Sequence, residues 1–402
     1  MKILEINSVP YGSTCNIMLG IRKIAEDVGI KIDTATGYSY HPVKLPATHI
    51  HLGGFLDKSL HIVLSYFTGK HGFFSEMSTR KLLRKIEEEN YDILHFHNLH
   101  GWYINLPLLF DYVKKHNIKV IWTLHDCWTF TGQCPYFTFA ECEKWKTGCQ
   151  NCPQYKRYPT TFFDNSEKMY QLKKEMFIGV KNLTLVTPSQ WLAGLVKQSF
   201  LKEYPVKVIH NGIDLSVFKH TDSDFRKRFH CEDKFILLGV AFGWEARKGL
   251  DVFIELSKSL DSSYQIVLVG VDKKTKKILP DNIIALERTQ NQHELAAIYS
   301  TADVFVNPTR EDNFPTVNIE ALACGTPIIT FRTGGSPEIL TNRCGSVVEY
   351  EDVEGLIQEI KHVCSTKPYL AANCRKRACD FDRKQRFQEY IHLYKKIVEK
   401  IC

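Results

Sequence analysis

The 402-residue chain carries 44% hydrophobic and 24% charged residues and a formal net charge of +7. That length exceeds one comfortable core and predicts two units of about 200 residues each. No apolar run reaches the roughly 18 residues of a membrane span, and the opening MKILEIN lacks a signal-peptide core, so a cytoplasmic protein is expected. A positive balance this mild lacks the clustered basic face of a nucleic-acid binder, yet suits contact with anionic headgroups at the inner membrane surface.

Lys2 to Asn7 reads as an apolar strand ended by Ser8-Val9-Pro10. Tyr11-Gly12-Ser13-Thr14 then leads into a helical pattern carried by Ile17, Ile21, Ile24, Ala25 and Val28. A strand, a glycine turn and a helix this early predict a Rossmann-like first unit. The turn is not GxGxxG, and a helix capped by Ser13 or Thr14 is the plain alternative to a phosphate loop. Residues 38–76 mix His41, His49, His51, His61 and His71 with Leu60, Tyr66, Phe67, Phe73 and Phe74 at spacings that match no metal motif. From Lys58 to Phe74 the stretch reads as a helix packed on the sheet, or as a segment touching a membrane interface or a lipid-linked acceptor.

Tyr91 to Asn98 and Lys119 to His125 read as strands with polar ends. Ligands of open parallel sheets sit beyond the strand carboxyl ends, which singles out His97, Asn98, His100, His125 and Asp126. Cys134, Cys142, Cys149 and Cys152 follow within 19 residues and end in a CxxC. Without a secretion signal this spacing favours a structural four-thiolate zinc knot over disulfides, with reduced thiols in a loop closed by Trp145 and Tyr155 as the alternative. A helix from Asn165 to Lys181, a strand at Leu183–Thr187 and another at Val206–His210 complete the first unit, and Asn211-Gly212-Ile213-Asp214 turns out of it.

The second unit restarts at Phe235–Ala241. Arg247 and Lys248 then sit side by side in a loop before a helix (Val252, Phe253, Leu256). An Arg fork beside a Lys point charge is what a leaving diphosphate requires; an exposed basic turn is the alternative. Strands at Gln265–Gly270 and Ile283–Leu286 are followed by Glu287-Arg288-Thr289 and a helix with Leu295, Ile298 and Tyr299. Val304 to Phe331 is a strand, an acidic loop, a helix opened by Pro315 and closed by Gly325, and a strand. The first amides of that helix, at Thr316, Val317 and Asn318, are expected to point outward and suit a phosphate. Glu320 is a lone carboxylate among Val317, Ile319, Ala321, Leu322, Ala323 and Cys324, and needs a partner: a sugar hydroxyl pair, or a core Arg or amide. Thr333 to Glu338 turns into another helix. Helical segments from Lys376 onward, with Phe387, Tyr390, Ile391, Tyr394 and Val398, are expected to cross back. The expected organisation is 1–210, 211–380 and a returning helix at 381–402.

The string VFVNPTREDNFPTVNIEALACGTPIITF, together with HFHNLHG, TLHDCWTFTG and VIHNGID, resembles the retaining nucleotide-sugar-dependent glycosyltransferases of family 4, and within them the colanic-acid and capsule branch. The resemblance implies an α/β GT-B fold: two Rossmann-like domains facing a cleft, acceptor on the first and donor on the second. It implies transfer from a nucleoside diphosphate sugar to a saccharide or lipid-linked saccharide, with retention, without a catalytic metal, and with peripheral contact at the membrane. In that family two acidic residues with seven between them flank the donor sugar and ribose. Asp312 and Glu320 have this spacing, Glu311 directly precedes, and either Glu311 or Asp312 contacts the sugar. Asn313 and Phe314 belong to the same donor loop. His125 would bond the sugar near its C6 hydroxyl, and the loop of Gly12 and Ser13 would lie near the phosphates. Backbone groups near Arg288 and Thr289 would hold the nucleobase. Lys248 matches the family's diphosphate lysine; the Arg usually five or six residues earlier is replaced by Gly243 and Phe242, leaving Arg247 as its substitute. A nucleotide-sugar epimerase or a phosphorylase would share the fold, and a non-catalytic sugar-binding protein is the rival of another class.

Overall fold

In the computed structural model, residues 1–40, 43 and 45–399 are described, so His41 lies outside them. The chain divides into two compact units, residues 1–210 joined by the segment from Arg386 onward, and residues 211–385.

The first unit is built on β1 (Lys2–Asn7), β2 (Lys31–Gly37), β3 (His49–Leu52), β4 (Ile93–Phe96), β5 (Val120–Thr123), β6 (Leu183–Thr187) and β7 (Val206–Val208). They form one sheet in the order β3-β2-β1-β4-β5-β6-β7, with every pairing parallel. The second sheet has β8 (Phe235–Val240), β9 (Tyr264–Val269), β10 (Ile283–Leu286), β11 (Val304–Asn307), β12 (Ile328–Phe331) and β13 (Gly345–Val348), in the order β10-β9-β8-β11-β12-β13, again parallel throughout. Parallel strands are covered on both faces, which is why β4, β5, β11 and β12 are buried at every residue and are mostly apolar, each with one polar residue. In each sheet the connection direction reverses beside the first strand, between β1 and β4 and between β8 and β11. Loops leaving those carboxyl ends diverge and leave room for a ligand.

Two expectations are corrected here. The helix Phe55–Thr68 exists, but its buried residues are Lys58, His61 and Ser65 while its large apolar residues face solvent, so it does not pack an apolar face on the sheet. Lys58 donates to the Tyr38 carbonyl at 2.9 Å and His61 meets the Ser75 hydroxyl at 2.8 Å, so polar partners hold this orientation. The helical segment around Lys376 also does not cross back. The helix Ala371–Cys379 buries Cys374 and Ala378 with Ile319 and Leu322 in the second unit. Only the last helix, Arg383–Glu399, enters the first unit, burying Phe387, Tyr390, Ile391 and Tyr394 with Ile3, Ile17, Ile93 and Ile121.

Candidate active site

The loops after β8 and β11 meet at the second unit's reversal point. A short turn, Ala246–Lys248, places the two cations. Lys248 Nζ lies 2.5 Å from Asp312 Oδ2, and the Arg247 guanidinium donates to the Glu311 carbonyl at 3.2 Å. The Arg310 amide donates to the Arg247 carbonyl at 2.9 Å, locking the loops together. Gly249 sits at φ +76°, where a Cβ would stand 2.5 Å from the Pro308 carbonyl oxygen. A third loop closes on the same spot: the Gly335 amide donates to the Asn313 carbonyl at 2.9 Å, and a Cβ on Gly334 (φ +53°) would come within 1.8 Å of the Asp312 carbonyl oxygen. Arg247, Lys248, Glu311, Asp312 and Asn313 are therefore brought together. Phe314 is not part of the mouth: its ring is buried and meets Phe381 edge-on at 5.7 Å, because an apolar ring gains more in the core than over a polar ligand.

The helix Thr316–Cys324 follows, entered from Pro315 and ended by left-handed Gly325. Its first positions leave the Thr316 and Val317 amides without intrahelical acceptors. The third expected amide, Asn318, is engaged, donating to the Pro315 carbonyl at 3.1 Å. The partly buried Glu320 is held by two hydroxyls: Tyr299 donates to Oε2 at 3.2 Å, and the Thr316 side chain adds a second bond. Burial pushes the Glu320 carboxyl up to about 7, against the pull of these two bonds. Arg288 and Thr289 stand apart at the end of β10. The Arg288 guanidinium lies 3.8 Å from the centroid of the exposed Phe242 ring, and both residues border a cavity of about 390 Å³ with Leu286 and Ile298.

In the first unit the polar ends of β4 and β5 converge. His97 Nδ1 and His125 Nε2 are 3.0 Å apart with their rings stacked, and His100 Nε2 bonds Asp126 Oδ2 at 2.9 Å. Burial, then the neighbouring His97, His95 and His100, holds His125 well below the usual imidazole range, so it is neutral. Behind this pair, out of water, lie Glu5 and His95: His95 Nδ1 is 3.1 Å from Glu5 Oε1 and 2.7 Å from the Tyr394 hydroxyl. Burial pushes the Glu5 carboxyl up, but the bond from His95 and the nearby His97 imidazole, 3.9 Å away, outweigh it and leave the group below its ordinary value. Gly12 opens the helix Gly12–Asp27 at φ +82°, and the cap position belongs to Tyr11, so neither Ser13 nor Thr14 caps it. Thr14 instead receives a bond from the Asn7 side chain at 3.3 Å.

The cysteine loop is ordered in part by its own aromatic side chains. Phe130, Phe137 and Trp145 are buried together, with Phe137 and Trp145 stacked at 4.8 Å, so the loop carries an aromatic core of its own. The Gly132 amide donates to Cys149 Sγ at 3.1 Å, and burial raises the Cys149 thiol to about 11. Among the described residues, the set of three or more ligand atoms lying within 4.8 Å of one another is Glu5, His95 and His97. The sulfurs of Cys134, Cys142, Cys149 and Cys152 are gathered in one loop but not drawn to that distance, and a metal would have to pull them in.

Sequence reasoning missed three residues of these sites. Arg310 is buried and reaches Asp251 at 2.7 and 2.8 Å, Glu351, and the Ala246 carbonyl, tying the cation loop to its sheet. Tyr299 read only as a helical core residue. Glu5 had one signal, a lone carboxylate inside a continuous apolar strand.

Residues 56–217 match the model of Glycosyltransferase Family 4, and residues 233–366 that of Glycosyl transferases group 1. The chain is 26% identical over 316 residues, 76% of each protein, to WcaC of Escherichia coli, a candidate colanic acid biosynthesis glycosyl transferase. Among solved structures, sucrose-phosphate synthase from Thermosynechococcus elongatus superposes with a TM-score of 0.73 at 18% identity over 98% of both chains. Anabaena HepE in complex with UDP superposes with a TM-score of 0.67 at 16% identity, covering 98% of this chain and 100% of that one. With glycosyltransferase models over both halves and two parallel-sheet Rossmann-like domains, the chain is a glycosyltransferase of the GT-B fold.

Proposed function

We propose that the chain moves a sugar from a nucleoside diphosphate sugar to a hydroxyl of a saccharide or lipid-linked saccharide, in the assembly of a surface polysaccharide, with retention at the anomeric carbon. The observation that carries this reading is the Lys248–Asp312 pair at 2.5 Å, beside Arg247 at the carboxyl ends of β8 and β11. A diphosphate arriving there takes over the lysine and frees the Asp312 carboxylate to accept from a sugar hydroxyl. Arg247, Lys248 and the Thr316 and Val317 amides then meet the charge that grows on the leaving diphosphate as the glycosidic bond breaks. Fixed donors aimed at developing charge are worth about 10²–10³ in rate each, and they supply what a divalent metal supplies in other transferases. Glu320 grips the ribose hydroxyls, and the departing phosphate takes the acceptor proton.

Two similarities support the substrate classes. HepE is solved with UDP, with UDP and glucose, and with UDP-glucose, which makes UDP-sugars the first donors to test. The name of WcaC points to polysaccharide acceptors. The test is transfer from a panel of nucleotide sugars to saccharide acceptors with chelator present, with the product's anomeric configuration read by NMR. Lys248→Ala is expected to lower turnover about 100-fold without changing the melting temperature. Full activity in that variant, or an inverted product, would sink the mechanism.

A further inference from the structure

We propose that Glu5, His95, His97 and Tyr394 hold one first-row transition-metal ion, zinc foremost, inside the first unit. The backbone sets the group. Glu5 on β1 pairs with His95 on β4 across the parallel ladder, and His97, two residues on, turns to the same face, its ring centroid 4.3 Å from that of His95. His95 Nδ1 stands 3.1 Å from Glu5 Oε1, His97 Nε2 stands 3.9 Å from the same oxygen, and one ligand atom from each of the three lies within 4.8 Å of the others. Tyr394 Oη, from the last helix, is 2.7 Å from His95 Nδ1 and 3.1 Å from Glu5 Oε1, which is the place of a fourth ligand.

Hydrogen bonds alone do not account for this cluster. All four side chains are buried, and among the described residues neither Glu5 Oε2 nor His97 Nε2 has a hydrogen-bond partner. Buried polar atoms left so are costly, and a cation between these two satisfies both at once. The remaining ring nitrogens are engaged in the way ligation requires: His95 Nε2 is 2.8 Å from Thr123 Oγ1, and His97 Nδ1 is 3.0 Å from His125 Nε2. A proton on each of those nitrogens leaves the lone pairs of His95 Nδ1 and His97 Nε2 for the ion, and outer partners of this kind fix the tautomer of metal-bound histidines.

The donor set selects the ion. Two imidazoles with a carboxylate and a phenol oxygen suit zinc and its first-row neighbours, whereas calcium and magnesium take oxygen ligands. Bonds of about 2.0–2.2 Å hold tetrahedral ligands about 3.4 Å apart, so small side-chain rotations close the cluster. Bound as phenolate, its proton released to solvent, Tyr394 joins Glu5 in cancelling the two charges of the ion. Four protein ligands leave no open position for a substrate, so the ion is structural. It ties the last helix to β1 and β4, and through His97 it holds His125 with Nε2 as the acceptor.

The test is metal analysis of the full folded chain after a chelator wash. Expected is about one zinc or other first-row ion per chain that persists in Cys149→Ser and is therefore not an ion of the cysteine loop, with X-ray absorption of that variant giving only nitrogen and oxygen neighbours at about 2.0–2.2 Å. Glu5→Gln keeps the side-chain volume and should lower the content of this ion at least about tenfold, and Tyr394→Phe should let the chelator extract it. Circular dichroism reads whether each variant is folded. Should one fail to fold, the spectrum of the parent chain decides, where a nitrogen and oxygen shell is expected with or without a sulfur shell beside it. A folded Cys149→Ser chain free of first-row metal overturns the proposal, as does a shell of sulfur alone in the parent, or an ion with nitrogen and oxygen neighbours that folded Glu5→Gln retains.

Discussion

Glu320→Gln tests the chemistry of the second unit without disturbing its shape. The amide keeps the volume and can keep both the Tyr299 and the Thr316 bonds, but it cannot titrate. In the folded chain the Glu320 carboxyl holds its proton up to about 7, whereas its ordinary value is 4.5. Between those values the native state binds a proton that the unfolded state has lost, so stability falls as pH rises through the window. At about 1.4 kcal/mol for each tenfold difference in proton affinity the full loss is roughly 3 kcal/mol, trimmed toward roughly 2 kcal/mol by the residue's partial exposure. The Gln variant should therefore match the parent near pH 4.5, gain on it steadily across the window, and be the more stable protein above pH 7. Urea denaturation of the two ligand-free proteins at steps across this range reads the difference. Parallel profiles would show that Glu320 titrates as an ordinary carboxyl and would refute the argument. The same logic gives a binding signature: ribose hydroxyls donate to the ionised form, so UDP binding below pH 7 should release a proton, seen by calorimetry in buffers of unlike ionisation enthalpy.

Arg310→Ala strips a buried guanidinium from Asp251 and Glu351 and should cost about 2–3 kcal/mol by chemical denaturation, since both carboxylates keep some solvent. Gly334→Ala forces a Cβ against the Asp312 carbonyl; stability should drop by roughly 1–3 kcal/mol, and kcat should fall further than the melting temperature suggests because the acidic loop moves. For the cysteine loop, elemental analysis of purified protein is expected to find about one zinc per chain, lost in Cys149→Ser; metal-free protein of unchanged stability would leave four reduced thiols. His125→Ala should lower turnover at least about tenfold with the fold intact, measured alongside Lys248→Ala.

Which of these residues could be read from the chain alone follows from how far away their partners lie. His97 and His125 were visible because each ends an apolar strand run, and position at a strand end already places a side chain. Arg247 and Lys248 were visible for a similar reason, as adjacent cations before a helix. Arg310 was not, because its meaning comes from Asp251 and Glu351, 59 and 41 residues distant. Phe314 misled, since a loop aromatic looks the same whether it faces a ligand or Phe381. The helix Phe55–Thr68 misled more deeply: periodicity reports that a helix has two faces, while the choice of inward face was made by Tyr38 and Ser75.

The last helix has a consequence for how the chain comes into being. Tyr394 donates to Glu5 across 389 residues, and Tyr390, Tyr394 and Phe387 share a core with the opening strand. A ribosome delivers β1 first and these aromatic residues last, with the whole second unit in between. The first unit is the earlier to be made and the later to be sealed; until the final turns emerge, its buried carboxylate has no tyrosine hydroxyl and its central isoleucines have one side open. Nascent chains halted after residue 385 should expose that surface to chaperones, even with the second unit already folded.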